Sequence, residues 1–121
     1  MLIVEDNLDY REQIKEVLCS HFPTAHVDEA GDAAEALRKI RESPPRVIIM
    51  DIRLPGENGL TLTKKIRDSH PEIEIIVLTN HDLPAYREAA HRYGARDFLS
   101  KNSATEEDIV RSVEAALSEI S

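Results

Sequence analysis

The sequence is poor in residues that build disulfide scaffolds, aromatic cores or membrane spans. Its 121 residues include one cysteine, four glycines and no tryptophan, and aromatic residues make up 4%. A single cysteine excludes an internal disulfide and a zinc site made of cysteines. With so few aromatic residues, the core of this one-domain chain must be mostly aliphatic. No apolar run approaches the ~20 residues of a membrane-spanning helix.

Positive charge is also scarce, because 15 lysines and arginines face 23 acidic residues and the formal net charge is −8. Direct binding of nucleic acid needs clustered cationic side chains that neutralise phosphates, so the composition argues against such contact. The first residues show no basic region followed by a long apolar one, unlike a secretory signal. Together these absences predict a cytoplasmic protein with no membrane partner.

Continuous aliphatic runs alternate with amphipathic helical patterns along the chain. Such runs are typical of strands buried on both faces of a parallel sheet. Strands are predicted at roughly 2–5, 25–29, 47–50, 74–78 and 97–100. Helices are predicted at roughly 8–21, 32–42, 58–69, 84–93 and from 105 onward. The strict alternation predicts an α/β fold, with one doubly wound five-stranded parallel sheet and helices on both faces, over residues 1–121.

Capping residues mark several of these helices. Asp32, with Glu35 three residues later, predicts a capping box, and Asn58 and Thr105 are further N-cap candidates. Gly94 predicts a left-handed stop after the fourth helix. The apolar stripes assign two further side chains to the core: Cys19 in the first helix and Ile120 in the last.

Polar side chains follow four of the predicted strands. Glu5 and Asp6 follow the first strand and Asp51 the third, while Thr79 ends the fourth and Lys101 follows the fifth. Ligands bind at the carboxyl ends of strands in open parallel sheets, so we expect these side chains to meet at one edge. Three carboxylates at close range repel one another and push some pKa values upward. A divalent cation removes that conflict, and oxygen ligands with room for water suit Mg²⁺.

Asp51 is the candidate nucleophile of this set. With its charge shielded by a metal, the carboxylate can carry a phosphoryl group as an acyl phosphate. Lys101 can pair with one incoming phosphoryl oxygen, and Thr79 can donate a hydrogen bond to another. Phosphoryl transfer needs little beyond such positioning and charge neutralisation. Any one of these residues alone is equally well a helix cap or a solvated turn residue, but the ordered set favours the chemistry.

With these residues in this order, the chain resembles the receiver domain of bacterial two-component response regulators, the chemotaxis-regulator-like family, over essentially its whole length. The matching residues and motifs are Glu5-Asp6, Asp51, Leu54-Pro55-Gly56, Asn58-Gly59, Thr79, Phe98 and Lys101. The segment 94–101, followed by Asn102 where many receivers have proline, is similar to the branch with LuxR-like helix-turn-helix outputs.

The resemblance implies a flavodoxin-like three-layer sandwich with strand order 2-1-3-4-5. It also implies a phosphoacceptor signalling domain that catalyses only its own phosphorylation and dephosphorylation. Asp51 would accept a phosphoryl group from a sensor histidine kinase or a small phosphodonor. Mg²⁺ would be bound by Asp6, Asp51 and the backbone carbonyl of Arg53, with Glu5 acting through water.

The resemblance further implies a switch. On phosphorylation Thr79 would move inward, Phe98 would follow, and the surface of the fourth helix and fifth strand would be remodelled. The remodelled surface would act on an output domain or a downstream protein, with transcription regulation as the expected output. Homodimerisation on phosphorylation, through the fourth helix, fifth strand and fifth helix, is a family expectation.

Three residues depart from the family pattern or tune it. Asn80 follows Thr79, where the family has Ala or Gly, and it either crowds the phosphoryl site or adds a hydrogen bond. Arg53 and His81 stand two residues beyond Asp51 and Thr79, at positions that tune the lifetime of the phosphate. We expect both to shield the acyl phosphate from water, although an exposed loop histidine is an equally good interpretation of His81.

Three other classes of protein have part of this pattern. An aspartyl-nucleophile hydrolase of the haloacid-dehalogenase type needs a second acid two residues after the nucleophile, where this chain has Arg53. A nucleotide or flavin domain needs a glycine-rich loop after the first strand, and the segment 6–9 contains no glycine. A pseudo-receiver, which binds proteins without being phosphorylated, stays open because of Asn80.

Overall fold

The computed structural model describes residues 1–120 and the side chains of residues 1–118. The strands are β1 (Leu2–Val4), β2 (Asp28–Ala30), β3 (Val47–Met50), β4 (Glu74–Thr79) and β5 (Asp97–Ser100). The helices are α1 (Leu8–His21), α2 (Ala33–Glu42), α3 (Gly59–Ser69), α4 (Pro84–Arg92) and α5 (Glu106–Ile120). The sequence predicts that the Ile120 side chain is buried, but this side chain is not among those that the structure describes.

The five strands form one parallel sheet in the order β2-β1-β3-β4-β5, which confirms the predicted doubly wound fold. In the register of the central strands, Val4 of β1 lies beside Met50 of β3, and Met50 lies beside Val77 of β4. The carboxyl ends of β1 and β3 are therefore level, and β4 continues two residues further, to Thr79. The residues that directly follow β1 and β3 therefore lie side by side at one edge of the sheet.

Aliphatic side chains of the central strands alternate between two buried layers, which explains why their sequences read as continuous apolar runs. One layer, against α2 and α3, contains Leu2, Val4, Ile48, Met50, Ile75, Ala36, Ile40, Leu62 and Ile66. The other, against α1 and α5, contains Ile3, Val47, Ile49, Ile76, Leu78, Ile14, Leu18, Ile109 and Val113. A smaller cluster lies under α4 and contains Ile52, Leu60, Val77, Ala90, Ala95 and Phe98.

The predicted caps are present. The Asp32 side chain accepts a hydrogen bond from the Glu35 N–H, and the Asn58 side chain accepts one from the N–H of Leu60. The Glu35 carboxylate accepts a hydrogen bond from the N–H of Gly31, the residue before the cap, and not from the N–H of Asp32. Gly94 has a φ of 101°, as expected of a left-handed stop. No helix within residues 1–120 is long and apolar enough to span a membrane.

Two sequence predictions about local structure were wrong. Cys19 is exposed and not part of the core. The buried residues of α1 include Val17 and Leu18, and one further residue rotates the side chain by about 100°, toward solvent. Strand β2 begins at Asp28 and not at residue 25, because its pairing with β1 begins where Asp28 lies beside Leu2.

Candidate functional site

Three carboxylates meet where β1 and β3 end. Ligand oxygens of Glu5, Asp6 and Asp51 all lie within 4.8 Å of one another. The Asp51 N–H donates to the carbonyl of Val4 at 3.1 Å, which ties the two strand ends together. Glu5 is 4% exposed and Asp51 is 7% exposed, whereas Asp6 is open to solvent. The cluster is therefore a buried pair of acids with one accessible edge.

Lys101 reaches into this cluster from the end of β5. Its Nζ donates to Glu5 Oε1 at 2.5 Å and to Asp51 Oδ2 at 3.0 Å, and its side chain is only 9% exposed. The sequence predicts Lys101 near an incoming phosphoryl group, but it does not reveal this double ion pair. The ammonium group compensates two buried negative charges at once.

Burial and these partners shift the pKa values of Glu5 and Lys101. Burial raises the pKa of Glu5 above its usual value, and the charge of Asp51 adds to the rise, while hydrogen bonds from Lys101 and the Asn7 N–H oppose it. The upward direction agrees with the sequence prediction, although burial contributes more than repulsion. Burial alone would lower the pKa of Lys101, but its hydrogen bonds to Glu5 and Asp51 outweigh this, and the pKa is raised. The lysine is therefore charged at neutral pH.

The donor set fits a small hard cation. All candidate ligands are carboxylate oxygens, and the exposed side at Asp6 leaves room for water, as Mg²⁺ requires. An open depression beside Asp6 is lined by Asp6, Ile52, Arg53, Leu54, Pro55, Gly56, Glu57 and Asn58. Arg53 thus borders the same accessible surface as Asp6, and its side chain is exposed.

The backbone around Asp51 is held by the start of α3. The Gly59 N–H donates to the carbonyl of Ile52 at 2.7 Å, and Asp51 Oδ1 accepts from the Ile52 N–H at 2.7 Å. A β-carbon on Gly59 would lie 1.9 Å from the Asp51 carbonyl oxygen. Only glycine therefore allows α3 to approach Asp51 so closely, a steric reason that the sequence motif alone does not reveal.

Thr79 and Phe98 are both buried. Thr79 is 0% exposed, and its Oγ1 accepts a hydrogen bond from the N–H of His81 at 3.2 Å. The Lys101 N–H donates to the Thr79 carbonyl at 2.9 Å, which joins β4 and β5 at the site. Phe98 is 4% exposed, within the cluster under α4. Asn80, directly after β4, is exposed, and His81 is partly exposed.

Three helix residues that sequence reasoning missed also support the site. Arg11 donates from Nη1 to the Glu5 carbonyl at 2.9 Å and from Nε to Glu29 at 3.2 Å. Tyr10 presents its ring to the Lys101 ammonium at 4.3 Å. Arg87 lies over Phe98. Helical periodicity says only which face these residues occupy, so no signal in the sequence identifies their partners.

The fold and the acidic cluster define a receiver-type α/β domain. The family model for the response regulator receiver domain matches residues 1–114, and the chain belongs to this family. The sequence resemblance is therefore confirmed.

Two similar proteins carry the name of a bacterial regulatory protein. The oxygen regulatory protein NreC of Staphylococcus haemolyticus is 35% identical over 108 residues, which cover 88% of this chain and 50% of that protein. NreC of Staphylococcus carnosus is 34% identical with the same coverage. The chain spans about half the length of the curated relatives it matches.

Solved structures show the same architecture. The receiver domain of NarL from Mycobacterium tuberculosis is 30% identical, with a TM-score of 0.85, covering 96% of this chain and 94% of that one. A DNA-binding response regulator of the LuxR family from Staphylococcus aureus is 26% identical, with a TM-score of 0.87 and 95% coverage of both chains. A CheY-like receiver from Methanospirillum hungatei is 25% identical with a TM-score of 0.89, covering 98% of this chain and 93% of that one.

Proposed function

We propose that this receiver domain takes a phosphoryl group onto Asp51, from a sensor histidine kinase or a small phosphodonor, in two-component signalling. The observation that carries the proposal is the buried Asp51 carboxylate, which lies beside two further acids and 3.0 Å from the Lys101 ammonium. A carboxylate nucleophile and a fixed cation are the groups that phosphoryl transfer needs most.

The acids would hold Mg²⁺ through Asp6, Asp51 and the Arg53 carbonyl, with Glu5 acting through water, and the ion would neutralise charge on the carboxylates and the phosphoryl oxygens. An Asp51 oxygen attacks phosphorus, the new O–P bond forms, and the bond from phosphorus to the donor breaks. Lys101, which now pairs with the Asp51 carboxylate, transfers its hydrogen bond to a phosphoryl oxygen. The Thr79 hydroxyl group loses its hydrogen bond from the His81 N–H and donates to a second phosphoryl oxygen.

The readout of this event is a change of surface. Movement of Thr79 and Phe98 would alter the surface formed by α4 and β5. The charge of the added phosphoryl group would thus shift an equilibrium between two conformations of this surface. The names of the similar proteins favour a LuxR-like output domain and transcription regulation. The proposed location is the cytoplasm, and the excess of acidic residues argues against direct contact between this domain and nucleic acid. A phosphorylation-linked homodimer through α4, β5 and α5 belongs to the same proposal.

Intact mass spectrometry after incubation with acetyl phosphate and Mg²⁺ tests the central step. We expect the wild-type protein to gain one phosphoryl group and Asp51→Asn to gain none. Asp82→Asn, which changes an exposed aspartate after β4, should behave as wild type. An adduct of equal yield on Asp51→Asn would place the acceptor elsewhere and refute the proposal.

The lifetime of the phosphoryl group should depend on Arg53 and His81, which lie two residues beyond Asp51 and Thr79. Both side chains are bulky and can shield an acyl phosphate from water, so the double variant Arg53→Ala/His81→Ala should lose the phosphoryl group faster. The loss of adduct mass with time after removal of acetyl phosphate measures this. An unchanged half-life would remove both residues from the proposal.

A pseudo-receiver is the second candidate, in which the ion pairs from Lys101 to Glu5 and Asp51 would serve stability alone. Asn80 supports the same interpretation if its side chain obstructs the phosphodonor. If the wild-type protein takes up no phosphoryl group, Asn80→Ala separates the cases, because gained reactivity would show obstruction at a competent site. A melting temperature raised by Mg²⁺ in the wild type but not in Asp51→Asn would likewise show that the metal site is intact.

A further inference from the structure

The proposed chemistry requires that the ammonium group of Lys101 keep a fixed position. Its long side chain samples many rotamers, yet its ammonium must stay at one point beside Asp51. At present Glu5 and Asp51 hold it there by ion pairs. Both carboxylates belong to the candidate metal cluster, so binding of a cation weakens the hold of each of them on the lysine.

The ring of Tyr10 supplies a contact of a different kind. The Lys101 Nζ lies 4.3 Å from the centroid of this ring, well inside the ~6 Å range of cation–π attraction. Among the polar and ring contacts described for the Lys101 side chain, this one involves no group that would ligate a metal or accept a phosphoryl group. It therefore persists while the two ion pairs are exchanged.

Tyr10 is itself well held. It lies on α1, one turn before the buried Ile14, and packs against the layer between the sheet and helices α1 and α5. The ring also lines the groove between α1 and α5, together with Lys101. Tyr10 therefore flanks Lys101 at the wall of this groove.

We propose that Tyr10 is a positioning residue that holds the Lys101 ammonium over Asp51 through the face of its ring. This role rests on the proposed phosphorylation of Asp51 and extends it to a residue that would neither ligate the metal nor accept the phosphoryl group. The ring face, and not the hydroxyl group, is the part that acts. Phenylalanine should therefore replace tyrosine, and an aliphatic side chain of similar size should not.

The test compares Tyr10→Leu and Tyr10→Phe with the wild-type protein. We expect Tyr10→Leu to slow phosphorylation by acetyl phosphate about three- to thirtyfold, the range that corresponds to a partly buried cation–π contact. Tyr10→Phe should stay within about twofold of wild type, in keeping with that attribution. Val17→Ala, a buried change on the same helix and the same groove, controls for lost stability. It should leave the rate unchanged.

A second readout does not depend on phosphorylation. An aromatic ring shifts the NMR signals of groups over its face upfield, so the Lys101 side-chain signals should be shifted in the wild type and Tyr10→Phe and released in Tyr10→Leu. Equal rates and equal Lys101 shifts in Tyr10→Leu and wild type would overturn the role of Tyr10 and leave Asp51 as the acceptor. A Tyr10→Phe protein as slow as Tyr10→Leu would also overturn it, because the hydroxyl group would then be responsible.

The two proposals fail separately. If the wild-type protein takes up no phosphoryl group, the proposed function fails, and the NMR comparison still decides whether the ring holds the lysine. If Asp51 is phosphorylated at the same rate in all four proteins, the proposed function stands and the role of Tyr10 is refuted.

Discussion

The guanidinium of Arg87 lies 4.7 Å from the centroid of the Phe98 ring, and its Nη1 donates to the carbonyl oxygen of the same residue at 3.0 Å. One side chain of α4 thus contacts both the ring and the backbone of Phe98 in β5. Phe98 is the proposed aromatic switch, so Arg87 stabilises the buried position of its ring.

We expect this contact to appear as a coupling energy. In a double-mutant cycle of Arg87→Met and Phe98→Leu, the coupling should be about 0.5–1 kcal/mol, measured from urea unfolding. The cycle of Arg92→Met and Tyr93→Leu is the matched control, because that guanidinium lies farther from its ring, at 5.6 Å. Coupling at Arg87 no larger than in the control would show that the contact does not hold Phe98.

Removal of Lys101 should strongly destabilise the fold. Lys101→Met leaves Glu5 and Asp51, whose side chains are 5% and 8% exposed, without their cation, at a cost of about 3 kcal/mol in the free energy of unfolding. The double variant Glu5→Gln/Lys101→Met should recover part of the loss, since one buried charge is gone. Lys64→Met, which breaks an exposed pair with Asp68, should cost below about 1 kcal/mol. Similar losses in Lys64→Met and Lys101→Met would contradict this account.

Gly59 should tolerate no other residue without loss of stability. Its missing β-carbon would lie 1.9 Å from the Asp51 carbonyl oxygen, so Gly59→Ala must move either α3 or the end of β3. We expect a loss of about 3 kcal/mol or more in unfolding free energy. Gly56→Ala is the comparison, because a β-carbon there meets nothing within 4 Å and only the φ of 91° is strained. It should cost about 1–2 kcal/mol, and an equal cost at both positions would remove the steric argument.

The ion pairs of Glu29 should make stability depend on acid pH. Hydrogen bonding from Lys15, with added attraction from Arg11, lowers the pKa of Glu29 below its usual 4.5. A lowered folded-state pKa gives stability that is present above 4.5 and is lost as the pH falls through the folded-state value. The side chain is 29% exposed, so screening limits the effect to below about 1 kcal/mol.

Urea unfolding of Glu29→Gln, measured from about pH 7 to about pH 3, checks this dependence. The variant should be less stable than wild type at neutral pH, and the difference should shrink as the pH falls, because the wild-type carboxylate becomes protonated. Glu72→Gln controls for the loss of an exposed acidic group. A difference that stays constant across the range would mean that the charge of Glu29 is not responsible.

The central strands and the edge of the sheet that carries the acids were predictable from sequence, because strands buried on both faces leave continuous aliphatic runs. The run 47–50 before Asp51 is the clearest case, and the structure places β3 over the same residues. Strand β2 was predicted too early because it lies at the edge of the sheet and has a weaker apolar pattern. Cys19 was misplaced because a helical stripe has no sharp border next to Leu18.

The contacts within the site could not be predicted in the same way. A strand end locates Lys101, but its four-carbon side chain reaches many partners, and the choice of Glu5 and Asp51 follows from the three-dimensional spacing of β1, β3 and β5. Tyr10 and Arg87 lie on helices, where a residue's position fixes its face but not its partner. These contacts depend on how each helix packs against the sheet.

The hydrogen bond between Lys101 and Glu5 joins residues that are 96 positions apart. On the ribosome, the acids of β1 and β3 emerge early, but the lysine follows the last strand and enters only when nearly the whole domain has been synthesised. A growing chain therefore carries an incomplete pocket until its sheet closes at β5. The proposed phosphorylation site is therefore complete only in the finished fold, and a partly synthesised domain should not be phosphorylated.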